Sequence, residues 1–334
     1  MSVKRISAVA GFVALPLVLA TICAGVGGYH IAPGTIWRSI TDLVFAQDAA
    51  DPQAYTLLTQ VRLPRVLGAV VVGAGLAVSG AIYQAVFRNP LCSPYTLGVS
   101  NGAGFGAALA ILTLGSGLAV QASAVVMALL AVGLTFLFAS TSRGNASALI
   151  LSGILVGALF ASLTALIKFV ADPYEKLPQI IFWLMGSIAS IGPDSLKTTL
   201  PAYILILVLI AGLLWRLTVI SVDETFAQSV GVQVRRDRTI ALIMASALAS
   251  LCISIAGVIG WVGIVVPHYA RMIVGPQMRA VFGASISLGA SFMLLIDLFA
   301  RTLIAGELPV GVLTGVVGLP LFLLLVFRRK IRFV

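Results

Sequence analysis

No residue between Arg88 and Arg143 carries a charged side chain. A helix crosses a bilayer with about 20 apolar residues, so this run is too long for one crossing and too apolar for a water-facing domain. Gly115-Ser116-Gly117 divides it into two. Similar charge-free intervals occur at 6–28, 66–87, 144–167, 198–215, 280–296 and 308–327. The interval 239–270 again exceeds one span, and Gly257 through Gly263 with Pro267 predict a full helix followed by a short one. The expectation is an all-α polytopic membrane protein of about ten transmembrane helices, a single membrane domain over 1–334.

Composition agrees. Hydrophobic residues make up 60% of the 334 and charged ones 10%, against about 25% charged in a soluble domain; the mean hydropathy is +1.11. The net charge of +10 would suit nucleic acid, but the basic residues lie dispersed between apolar runs, where they read as topology signals instead. With an inside N-terminus, Arg38, Arg62, Arg65, Lys168, Lys176, Lys197 and Arg301 fall outside, and the other fourteen of the 21 Lys and Arg fall inside. Six acids offset the outer set: Asp42, Asp48, Asp51, Asp172, Glu175 and Asp194. Both termini are therefore expected in the cytoplasm. The run after Lys4-Arg5 exceeds the roughly 7–15 residues of a signal h-region and reads as the first span. Cys23, Cys92 and Cys252 show no CxxC spacing and read as small buried hydrophobes.

Chemistry is sparse. There is no GxxxxGK[ST] loop to cradle a phosphate. His30 and His268 fall in different segments, too few for a metal cluster, and no paired groups support an intramembrane enzyme. Polar marks sit instead at helix breaks, Gly263-Ile264-Val265-Val266-Pro267-His268 and Glu307-Leu308-Pro309-Val310-Gly311. Irregular backbone at membrane depth is how a permease lines a route through itself. A gradient-driven secondary transporter is the rival class, but it needs intramembrane ionisable groups, and Asp297 is the only acid near the middle of an apolar run. That favours energy supplied by a partner ATPase. Residues 30–60 form an outer loop long enough for a surface helix. The longest inner loop, 217–238, contains Asp223 and Glu224 at a plausible helix start, an apolar face of Phe226, Ala227 and Val230, and Gly231 as a stop. It predicts a short amphipathic helix.

The tracts Val61-Arg62-Leu63-Pro64-Arg65, residues 84–94, Leu97-Gly98-Val99-Ser100-Asn101-Gly102-Ala103-Gly104, 263–271 and 307–318 resemble, in order, the permease family of ATP-binding-cassette importers for iron-siderophores, haem and vitamin B12. The resemblance implies a type II importer permease fold in a bacterial inner membrane. It also implies a second permease copy (identical or homologous), two cytoplasmic ATPase subunits that bind ATP and Mg, and a periplasmic or lipid-anchored binding protein. No cofactor is expected in this chain. By resemblance Arg62, Arg65 and Arg301 dock acidic residues of the binding protein; the alternative is interfacial snorkelling, and Asp297, four residues before Arg301, could occupy that arginine. Asn89 and Leu91, with Ala146 and Ser147, match the cytoplasmic gate, although Ala146 replaces a hydroxyl residue there. Asn89-Pro90 alone would serve as a plain turn. Phe226, Ala227, Gln228, Ser229, Val230, Gly231, Val232 and Gln233 match the helix that couples to the ATPase, with a free surface helix as the other reading. His268 reads as structural, bonding carbonyls freed at the break. The leading cargo is an iron chelate (siderophore or haem), with cobalamin and molybdate or tungstate also open.

Overall fold

Small residues decide how closely these helices approach. The computed structural model describes residues 3–26, 34, 35, 37, 38, 41, 42, 51–115, 117–140, 146–304 and 306–328. In order they form α1 (Val3–Gly25), α2 (Pro52–Phe87), a 3₁₀ turn (Pro94–Leu97), α3 (Val99–Thr113), α4 (Leu118–Ser140), α5 (Ala146–Val170), α6 (Lys176–Met185), α7 (Pro193–Val222), α8 (Glu224–Ser229), α9 (Val234–Ala256), α10 (Val262–Val274), α11 (Met278–Thr302) and α12 (Val310–Arg328). Six of these are long and apolar enough to cross a membrane: α2, α4, α5, α7, α9 and α11. Four shorter apolar helices, α1, α3, α10 and α12, complete the ten that the charge-free intervals predict. The chain is a multi-pass membrane protein.

α2 is the axis, 89% buried over its apolar window, whereas α7 is 28% buried. It crosses α11 at Gly73 and Gly289, where a Cβ on either would land on the other's carbonyl oxygen. Further along, Gly80 lies against the carbonyl of Gly263 at the start of α10. Such contacts let backbones pack in a setting where lipid is as apolar as the side chains. α4, α5 and α7 form the rim and turn leucine, isoleucine, valine and phenylalanine outward.

The structure departs from expectation at several boundaries. α2 starts well before residue 66, because Asp51 accepts from the amides of Gln53 and Ala54 at 3.1 and 3.0 Å and Pro52 opens the first turn. Arg62 and Arg65 therefore lie within a helix rather than at its mouth. The third crossing begins as α3 at Val99, not at residue 89. Arg88 ends α2 in a left-handed conformation (φ 47°), and the Ser93–Thr96 capping box turns the chain back into the bundle. There Pro94 meets Gly263, and the Thr96 carbonyl meets Gly153 of α5. α6 lies in a stretch expected to be outer loop; at 10 residues it is too short to register as a span. The inner amphipathic helix spans Glu224–Ser229, between the acidic start and the glycine stop read from the sequence, so the coupling match 226–233 runs past its end. Asp223 caps it through the amide of Phe226 at 2.7 Å, and Gly231 (φ 81°) closes it. Most of the expected outer surface helix, His30 and Arg143 lie outside the described residues.

Candidate functional site

Three helix breaks meet at one junction: the end of α6 at Met185 and Gly186, the stretch from Gly257 to Trp261 between α9 and α10, and the start of α12 at Pro309 to Gly311. The amide of Ser187 donates to the carbonyl of Ala256 at 2.8 Å, and that of Val310 to Gly186 at 2.9 Å. Backbone groups freed by the breaks thus satisfy one another, as a non-aqueous setting requires. Gly186 and Gly257 have φ of 74° and 71°. A Cβ on Gly311 would strike the carbonyls of Met185 and Val258, so the junction admits no side chain there. Trp261 holds φ 67° without being glycine, packed on Gly318 with its ring centroid 6.3 Å from that of Phe322. Left-handed backbone at such a residue is strained and persists only when its surroundings impose it.

Cavities flank this junction. On one side a crevice of about 900 Å³ is lined by Gln121, Gln179, Ser187, Ser190, Ser195, Ser254 and Glu307 among others, with no lysine or arginine among its described lining residues. On the other, a pocket of about 460 Å³ is lined by Tyr95, Met185, Trp261, Ile264 and Val312 among others. Both breaks singled out in the sequence take part. Pro267 has no amide to give Gly263, and Gln84 of α2 reaches that carbonyl at 3.4 Å and that of Ile264 at 3.0 Å. His268 lies partly buried on α10. Gln84, which opens the tract 84–94, also accepts from Arg271.

Beside the crevice, the three predicted arginines are buried and bonded within the chain. Arg62 donates to the carbonyls of Ala24 and Gly25 at 2.7 and 3.0 Å. Arg65 bonds Asp297 at 2.8 Å and Glu307 at 2.6 Å. Arg301 donates to the carbonyl of Cys23 at 2.7 Å, and its Nε lies 3.6 Å from Asp297. The Asp297–Arg301 pair follows from their spacing. Arg65, which joins it from α2, was not foreseen. Together these groups tie α1, α2, α11 and the approach to α12.

At the opposite, basic end, α8 buries Ala227 in a cluster with Val219, Ile220, Val232 and Val234. Phe226 and Val230 point outward, 54% and 42% exposed, so the expected apolar face is split between inside and outside. Gln228, Val232, Gln233, Arg235 and Arg236 help line a groove alongside. Of the candidate gate residues, Asn89 accepts from the amide of Leu91 at 2.9 Å in a side-chain turn, and Leu91 is exposed. Ala146 and Ser147 open α5. The two pairs sit on separate elements, linked through the packing of Thr96 and Leu97 on Gly153.

A family model described as the FecCD transport family matches residues 15–328. The chain belongs to this family. Among curated relatives, the molybdate import system permease of Haemophilus influenzae is 36% identical, covering 96% of this chain and 95% of that protein. The hemin transport system permease of Yersinia pestis is 35% identical, at 96% and 95% coverage. A solved structure described as an inward-facing conformation of a metal-chelate type ABC transporter superposes with a TM-score of 0.87 at 35% identity, covering 97% of this chain and 99% of that one. This FecCD chain is thus the membrane permease of an ABC importer.

Proposed function

We propose that this FecCD permease carries an iron chelate, siderophore or haem, across a bacterial inner membrane with both termini cytoplasmic. It acts as one of two permease copies, loaded by a periplasmic or lipid-anchored binding protein and driven by two cytoplasmic ATPase subunits that hold the ATP and Mg. The observation that carries the cargo reading is the crevice: its described lining of hydroxyls, amides, aromatic rings and Glu307, without a lysine or arginine, suits a bulky chelate better than a bare oxyanion. Molybdate is the second reading, favoured by the 36% identical relative named for it. Uptake into proteoliposomes holding the permease, its ATPase and its binding protein separates them. The expected result is ATP-dependent accumulation of chelated iron; accumulation of molybdate alone would overturn the chelate reading.

Coupling to the ATPase is assigned to 226–233, with Phe226 and Val230 as the exposed apolar contact. Phe226→Asp is expected to leave the helices inserted while lowering both capture of the ATPase and transport. Normal transport by that variant would remove the assignment.

Docking of the binding protein at Arg62, Arg65 and Arg301 requires an exchange of partners, since each guanidinium is already bonded inside the chain. Glu307 is the replaceable one: its side chain is 47% exposed, while Asp297 is fully buried. A carboxylate of the binding protein taking the place of Glu307 on Arg65 would keep Arg65 paired throughout. Arg62→Glu with Arg65→Glu is then expected to slow association, but through damage to the cluster as well, since a carboxylate at 65 would confront the buried Asp297 and Glu307. Glu307→Gln is expected to speed it. Association kinetics at two ionic strengths report both, and an unchanged on-rate in Glu307→Gln would leave Arg65 a purely internal clamp. The gate assignment of Asn89, Leu91, Ala146 and Ser147 rests on the family resemblance and on their position at the basic end.

A further inference from the structure

We propose that Arg88 and Glu224 link the coupling helix to the turn that carries the candidate gate residues Asn89 and Leu91. This rests on the reading of α8 as the ATPase contact.

Arg88 is the last residue before that turn. Its left-handed backbone stops α2 and turns its side chain toward α7 and α8. Nη2 donates to the carbonyl of Ile220 at 3.0 Å, one of the last carbonyls of α7, which have no amide ahead of them in the helix. The same nitrogen lies 3.8 Å from the carboxylate of Glu224. Glu224 is the first residue of α8, where negative charge suits the helix dipole, and it also receives Arg238 of α9. One carboxylate therefore holds the end of α2, the start of α8 and the first turns of α9.

Motion has a defined path through these groups. α8 has six residues and is about 9 Å long at ~1.5 Å per residue, short enough to move as one body. It is tied to the segment leading into α9 by the amide of Val232 donating to Ala227 at 2.9 Å and by the buried cluster around Ala227. A displacement at Phe226 carries Glu224 with it. Through Glu224 it reaches Arg88, and the next residue is Asn89, whose amide donates to Gln84 at 3.2 Å and whose side chain fixes Leu91. Gln84 in turn bonds the broken start of α10. The chain of contacts runs from the partner-facing surface to the gate turn and on toward the junction of breaks. Arg88 and Glu224 are 40% and 45% exposed, so their pairing contributes little to stability. Removing it should therefore change coupling without unfolding the bundle.

Glu224→Gln keeps the Arg88–Ile220 bond and discharges the carboxylate; because it also takes away the partner of Arg238, Arg238→Gln serves as the control that leaves the Arg88 link in place. Both are tested in the complete complex of permease pair, ATPase and binding protein in proteoliposomes, beside Arg88→Gln, the double variant of Glu224 and Arg88, and Phe226→Asp. The expected result is a fall of about two- to thirtyfold in cargo moved per ATP hydrolysed, the range for substitutions along a coupling network. Capture of the ATPase should stay at the parental level, and the double variant should do no more harm than either single one. A maleimide at Leu91→Cys provides a second readout, since the native Cys23, Cys92 and Cys252 are all buried. Its labelling rate should respond to nucleotide in the parent and lose that response in Glu224→Gln. Normal coupling in Glu224→Gln and Arg88→Gln while Phe226→Asp uncouples would overturn the link alone. Loss of ATPase capture in Glu224→Gln would overturn it too, making Glu224 part of the docking surface. Normal coupling in all the variants would overturn both the link and the reading of α8.

Discussion

Asp297→Ala is expected to destabilise the bundle by about 3–5 kcal/mol, the cost of removing one partner from a buried ion pair. Asp297 has no solvent exposure, and it faces the guanidinium groups of Arg65 at 2.8 Å and Arg301 at 3.6 Å. Alanine would leave Arg301 without a carboxylate and Arg65 with Glu307 alone, in a part of the protein where charge needs a partner. The damage should spread to α1, because Arg301 and Arg62 also hold the carbonyls of Cys23, Ala24 and Gly25 at its end. Asp297→Asn keeps an acceptor and should lie between alanine and the parent. Adding Arg301→Met to Asp297→Ala should recover part of the loss, since Arg65 keeps Glu307 and Arg301 is the cation left without a carboxylate. Thermal unfolding in detergent reads this series. An Asp297→Ala midpoint equal to the parent's would mean the cluster bears no load.

How much of this was legible beforehand depends on which physical constraint wrote each feature. The ten apolar helices were readable because bilayer thickness sets the length of every charge-free interval. α6 was not, since ten residues with Lys176 at the start fall below any span threshold. Glycine and proline marked the breaks at 257–267 and 307–311, but their meeting with Gly186 is a tertiary fact with no local signature. The same divide runs through the ion cluster. The pairing of Asp297 with Arg301 follows from helical spacing, whereas Arg65 comes from 232 residues away and looked like a free rim charge. At the inner helix α8 the acidic start and the stop at Gly231 were visible, but the packing that divides Phe226 and Val230 from the buried Ala227 was not. Gln84 opened one of the family tracts, but nothing in the sequence showed its role. Only the geometry shows it supplying the hydrogen bond that Pro267 withholds from Gly263.

Gly73→Ala is expected to cost about 1–3 kcal/mol or more, the range for overpacking a filled interface, and Gly73→Val more again. The new Cβ would meet the carbonyl oxygen of Gly289 and lie 2.6 Å from Cγ of Met293. A carbonyl inside a helix cannot swing aside as a side chain can, so α2 and α11 would have to separate. Separation lengthens the Arg65–Asp297 contact further along the same crossing and loosens Gly80 from Gly263, so transport should fall along with stability. Gly289→Ala should behave the same way, because its Cβ would meet the carbonyl of Gly73 and lie 2.7 Å from Cβ of Ala77. Gly283 provides the control: it lies on α11 with nothing within 4 Å of an added Cβ. Gly283→Ala should be neutral or stabilising by up to ~1 kcal/mol through helix propensity. Thermal unfolding of the three alanine variants, with uptake assays on those that fold, separates contact from propensity. Equal behaviour of Gly73→Ala and Gly283→Ala would show that the α2–α11 crossing does not depend on the missing side chains.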